Sequence, residues 1–130
     1  MRRPTLVTVC SLISIGLLSL HLTQDALREK PGTWPAQEGN LVAILILLVF
    51  LAGTVLLEGR RLGYASTLIC GLFAAGMPVL HLTAPRFGTV PRPGQFLFMW
   101  TLIALGVIGL FTVMLSVRGL LRYKRIEKVE

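Results

Sequence analysis

The long apolar stretches of this 130-residue chain are short of charge. Four runs, Thr5–Leu22, Leu41–Leu57, Leu62–Leu82 and Phe96–Val117, contain no Asp, Glu, Lys or Arg. All six acidic residues, Asp25, Glu29, Glu38, Glu58, Glu127 and Glu130, fall between the runs or at the chain ends. A proton- or cation-coupled carrier normally buries a carboxylate in its path, so this pattern disfavours that class. Gly-x-Ser-x-Gly, a Walker loop and His-Glu-x-x-His are all missing, and no catalytic residue is expected. Cysteine is scarce: Cys10 and Cys70 are the only two, and no Cys-x-x-Cys exists. Zinc prefers four nitrogen or sulfur ligands at characteristic spacings. With no such spacing present, no metal ligand is expected. The first run also lacks a small-x-small cleavage site after Leu22, so it reads as a retained segment rather than a leader.

What is present is hydrophobic. Residues of the apolar set make up 54% of the chain and charged residues 15%. Those proportions indicate an integral membrane protein. A bilayer core about 30 Å thick takes roughly 17–25 helical residues. The four runs therefore predict an all-α, four-span protein with transmembrane helices at about 5–22, 41–57, 62–82 and 96–117. Basic residues orient it. Arg2, Arg3, Arg60, Arg61, Arg118, Arg122, Lys124, Arg125 and Lys128 fall on one side, whereas only Arg28, Lys30, Arg86 and Arg92 fall on the other. Both termini are expected in the cytoplasm, in a bacterial inner membrane. The net charge of +7 is then largely topological. It is split among short segments, which argues against a nucleic-acid partner. Arg118, Arg122, Lys124, Arg125 and Lys128 form a basic tail suited to anionic lipid or a partner, at about 1 kcal/mol per cation near the surface.

A repeat runs through the chain. Leu20-His21-Leu22-Thr23 returns as Leu80-His81-Leu82-Thr83 at an offset of 60. Cys10 falls on Cys70, Leu12 on Leu72, Gly16 on Gly76, Leu45 on Leu105 and Gly59 on Gly119. Seven of the fifteen positions from 9 to 23 match. Fixed-period similarity of this kind marks a duplicated structural unit. Residues 1–60 and 61–120 each predict one helical hairpin. Two hairpins of the same orientation are related by a pseudo-twofold axis along the membrane normal, as in parallel-repeat transporters.

The only two histidines, His21 and His81, are thereby equivalent and belong at one depth, near the outer face. Two imidazoles from different helices can hold haem b axially or contact a quinone. His21 and His81 are the candidate cofactor residues on that reading. Their place at helix ends favours a plainer role, in which each His-x-Thr ends a helix.

Packing residues follow from helical spacing. Cys10, Ser14, Leu17 and His21 share one stripe, and Cys70, Ala74, Met77 and His81 share its counterpart. Gly71 with Ala75, and Thr112 with Ser116, are small-xxx-small pairs that let helices approach. Pro78 removes an N–H and is expected to kink the third helix. The chain is best read as a non-enzymatic accessory or scaffold subunit of a membrane assembly, or a homo-oligomer. A haem- or quinone-bearing redox subunit and a small-solute channel between the repeats are the alternatives.

Overall fold

The computed structural model describes residues 3–26, 34–83 and 96–127. Arg28, Glu29, Lys30, Arg86 and Arg92 lie outside the described residues, as do Arg2, Lys128 and Glu130. The described chain is four α-helices: α1 Arg3–Ala26, α2 Trp34–Leu56, α3 Arg61–Thr83 and α4 Phe96–Glu127.

Three of them, through the segments Leu6–Asp25, Arg61–His81 and Phe96–Tyr123, are long and apolar enough to cross a membrane. The apolar part of α2, Leu41–Leu56, is shorter. The helices outrun the apolar runs that predict them. Backbone hydrogen bonding does not stop where hydropathy does, so α1 continues through Gln24 and Asp25. Pro35 sits in the first turn of α2, where its missing N–H costs nothing. The start of the basic tail is a continuation of α4 rather than a separate strand of coil. At 1.5 Å per residue, its 32 residues reach about 48 Å, well beyond a 30 Å hydrocarbon layer.

The α2–α3 turn is tight. Gly59 takes φ +75°, a left-handed conformation that costs glycine little. Arg60 N–H then donates to the Leu57 carbonyl at 3.0 Å, and Tyr64 N–H to that of Arg60 at 3.1 Å. A Cβ on Gly63 would collide with the Leu57 carbonyl, so the first turn of α3 tolerates no side chain there.

α1 and α3 lie at the centre of the bundle. Each packs on the other and on both α2 and α4, while among the described residues α2 and α4 do not meet. Ile15, Leu18, Phe50, Cys70, Ala74 and Leu105 form the apolar core, with Leu17, Ile46, Leu47 and Met77 against it. Beside that plug, buried hydroxyls pair across the helices. Ser11 meets Thr54 at 2.8 Å, Ser14 meets Thr112 at 3.2 Å and Thr67 meets Ser116 at 2.8 Å. These contacts tie α1 to α2, α1 to α4 and α3 to α4. The outer surface is the reverse, with Val49, Leu56, Leu62, Ile103 and Leu110 all exposed. Polar groups inside and apolar groups outside suit a hydrocarbon surround, where a stranded polar group costs several kcal/mol.

Ser14, Cys70, Gly71 and Ala74 are buried, and Ala75, Cys10 and Pro78 are half-buried. Both cysteines are free thiols. Gly71 has a partner that the small-xxx-small pattern alone does not reveal. A Cβ on Gly109 of α4 would stand 2.5 Å from the Ala75 nitrogen and 2.9 Å from the Gly71 carbonyl oxygen. Glycines on both helices thus let the α3 and α4 backbones touch. α3 runs as one helix through Pro78 to Thr83, and a Cβ on Gly106 would approach the proline ring to 3.0 Å. The ring is accommodated by a glycine opposite it.

Gly109→Ala must push the α3 and α4 backbones apart. It is expected to destabilise the protein by about 1–3 kcal/mol, the usual range for overpacking. Reversible unfolding in detergent measures this, and unchanged stability would contradict the close approach.

Candidate functional site

The repeated histidines meet. His21 near the C-terminal end of α1 and His81 near that of α3 approach to 3.3 Å between their Nε2 atoms. Their ring centroids are 4.8 Å apart, with the planes inclined at 74°. His21 is fully buried and His81 nearly so, at 8% exposure. The N-terminal turns of α4 complete the pocket. Phe98 stacks on the His21 ring at 4.8 Å and meets the His81 ring edge-on at 5.3 Å. Thr101 Oγ1 lies 3.4 Å from His21 Nδ1, 3.1 Å from Gln24 Oε1 and 2.9 Å from the Phe98 carbonyl oxygen.

Asp25 is the third ionisable member. Its Oδ2 stands 3.4 Å from His81 Nε2 and 3.7 Å from His21 Nε2, and its side chain is 31% exposed. From hydropathy, every acid falls outside the apolar runs, and Asp25 does so too. The helix nevertheless continues past Leu22, and a residue four places on from His21 falls on the same face. The stripe Cys10, Ser14, Leu17, His21 has Asp25 as its next member, so the signal was in the helical spacing and not in hydropathy. Gln24, Phe98 and Thr101 carry no comparable signal, because their roles depend on how α4 docks.

Chemistry orients the rings. His81 Nδ1 is 3.0 Å from the Met77 carbonyl oxygen, which can only accept. Nδ1 therefore carries the proton, and in the neutral ring Nε2 presents its lone pair toward His21 and Asp25. A neutral His21 can then donate from Nε2 to His81, while Thr101 gives its one hydroxyl proton to the Phe98 carbonyl or to Gln24 Oε1. When both rings are neutral, the Nε2–Nε2 contact needs opposite tautomers, one ring donating and the other accepting. Past them, toward the helix C-termini, the threonines of the repeat behave alike: Thr23 Oγ1 donates to the Ser19 carbonyl at 2.8 Å and Thr83 Oγ1 to the Val79 carbonyl at 2.7 Å. These are bonds within each helix, and α1 continues past Thr23 to Ala26, so His-x-Thr does not end that helix.

A haem does not fit the pair as placed. Two axial metal–nitrogen bonds of about 2.0 Å would set the Nε2 atoms about 4 Å apart across an open slot. Here they are at 3.3 Å, with Phe98 packed on both rings and Asp25 alongside. Leu18, Ala74 and Leu105 belong to the apolar core.

The basic tail is at the far end. Arg118 and Arg122 line a cleft of about 710 Å³ with Leu6, Val7, Tyr64, Leu115 and Tyr123. Gly119 makes room for the Tyr64 ring, which a Cβ there would strike. Lys124 and Arg125 belong to the last turns of α4.

In chelator-treated protein, nitrogen-15 NMR of the imidazoles should show His81 protonated at Nδ1 and His21 at Nε2. Two histidines sharing the Nε2–H form would contradict this geometry.

No protein-family model, curated protein or solved structure matches this chain.

Proposed function

We propose that the chain is a four-span membrane protein made of two tandem hairpins. A pseudo-twofold axis along the membrane normal relates them, and both termini face the cytoplasm of a bacterial inner membrane. It acts without catalysis, as an accessory or scaffold subunit of a membrane assembly or as a homo-oligomer. The 60-residue repeat supports the duplicated hairpin. So does the equivalent placement of α1 and α3 at the centre, with the matched histidines in contact. The full 23 residues of α2 are long enough for a fourth span once its polar first turns are counted.

One observation carries the assembly reading. Gly16 and Gly76 occupy the same place in both repeats, yet a Cβ on either would have nothing within 4 Å. Glycine inside a helix costs about 1 kcal/mol relative to alanine. At Gly53, Gly71, Gly109 and Gly119 that cost is explained by a close neighbour in the bundle. At Gly16 and Gly76 the chain itself offers none. Leu12, Ile13 and Leu20 are exposed around Gly16, as are Leu72, Phe73 and Leu80 around Gly76. In lipid, small residues let another helix approach closely. A second copy or another membrane subunit fits these faces.

Light scattering and identification of co-purifying chains in mild detergent test this. The native protein should run as an oligomer or with a partner, and Gly16→Leu with Gly76→Leu should release it while the helix content stays unchanged. A strictly monomeric, partner-free native preparation would overturn the assembly reading.

A further inference from the structure

We infer that His21, His81 and Asp25 form a binding site for a divalent transition-metal ion of tetrahedral preference, of the zinc class, at the end of the bundle where α1, α3 and α4 meet. Three donor atoms define a triangle: His21 Nε2 to His81 Nε2 is 3.3 Å, His81 Nε2 to Asp25 Oδ2 is 3.4 Å and His21 Nε2 to Asp25 Oδ2 is 3.7 Å. Hydrogen bonds from nitrogen to oxygen normally span about 2.7–3.2 Å. All three edges are longer. Two ligands at about 2.0–2.1 Å from a tetrahedral ion are, by trigonometry, about 3.3–3.4 Å apart. The triangle therefore has nearly the size of one face of a coordination tetrahedron, and is loose as a set of hydrogen bonds.

Orientation agrees with size. The Met77 carbonyl accepts the His81 Nδ1 proton at 3.0 Å, which turns the Nε2 lone pair toward the centre of the triangle. A backbone carbonyl holding the outer nitrogen of a histidine is the usual support of a metal ligand. Thr101 Oγ1, 3.4 Å from His21 Nδ1, is placed to accept the same proton from the other ring. Both histidines can then adopt one tautomer, Nδ1–H with Nε2 inward, which the bare pair cannot do. The Asp25 carboxylate likewise faces the His81 lone pair at 3.4 Å, a repulsive arrangement that a cation between them reverses.

The ligand set narrows the ion. Two imidazoles and one carboxylate, without thiolate, suit zinc and its neighbours rather than calcium or magnesium, which take oxygen ligands. Cys10 and Cys70 are not part of the site; Cys70 packs in the apolar core among Ile15, Leu18 and Ala74. Three protein ligands leave a fourth tetrahedral position, and the partial exposure of Asp25 gives a route to it from solvent. Water or a group from an assembly partner can fill that position.

The test uses tag-free, full-length protein in mild detergent, stripped with chelator and titrated with Co²⁺. Native protein should develop the intense visible bands of tetrahedral cobalt, saturate at a single equivalent and lose them when Zn²⁺ is added. His21→Ala and His81→Ala should abolish the bands. Because these two buried changes also remove a contact between helices, Asp25→Asn is the decisive variant. It keeps size and helix, so it should retain native circular dichroism while binding at least 10-fold more weakly, and its melting temperature should lose the rise that zinc gives the native protein. Thr101→Val should weaken binding by about 10–100-fold, as loss of a supporting hydrogen bond does. A pale octahedral spectrum, or native stability that responds to pH but not to zinc, would overturn the proposal in favour of a proton-sharing cluster. Native affinity in Asp25→Asn would also overturn it. A monomer that binds cobalt would sustain this site and still remove the assembly reading.

Discussion

A polar group inside a bilayer has no water to turn to, and the architecture of this chain follows from that constraint. Every buried hydroxyl and imidazole must find its partner within the bundle. Among the described residues no buried side-chain nitrogen or oxygen lacks one. Ser11 faces Thr54 and Thr67 faces Ser116 because turning any of them outward would strand it in hydrocarbon. The large apolar residues are free to go outward, since lipid receives them as well as the core does. Helix rotation is therefore set by the few polar side chains more than by the many apolar ones.

Close approach does the rest. Without a hydrophobic driving force between helices, association depends on van der Waals contact and hydrogen bonds. Gly71 and Gly109 let the α3 and α4 backbones touch, and that interface carries Thr67, Thr112 and Ser116 into the interior. Docking α4 this way also brings Phe98 and Thr101 over the histidines. The histidine pocket is thus a consequence of packing several turns away. Leu18 and Leu105 then separate this polar end from the hydroxyl pairs beneath it.

Much of this was legible in the residues. The four helices follow from the charge-free runs, and the equivalence of His21 and His81 follows from the repeat. Their meeting does not. Equivalent positions share a depth, but whether two equivalent helices touch depends on which pair takes the short diagonal of the bundle, and no periodicity encodes that. Asp25 illustrates a different limit. Hydropathy sees a charge and ends the segment, whereas the helix continues until its hydrogen bonds end, which brings a carboxylate round to the histidine face. Gly59 and Gly119, matched in the repeat, diverge in the same way. One turns the chain at positive φ, and the other clears a seat for Tyr64 within α4. The same residue in the same register answered two different local requirements.

The central claim is that the repeated histidines join α1 to α3 directly. A double-mutant cycle on reversible unfolding in detergent, in the presence of chelator, measures that join. His21→Ala and His81→Ala are made singly and together. The contact predicts a coupling free energy of about 0.6–1.7 kcal/mol, the range found for polar contacts between membrane helices. Strictly additive losses would mean that the two imidazoles do not touch, and would contradict the account.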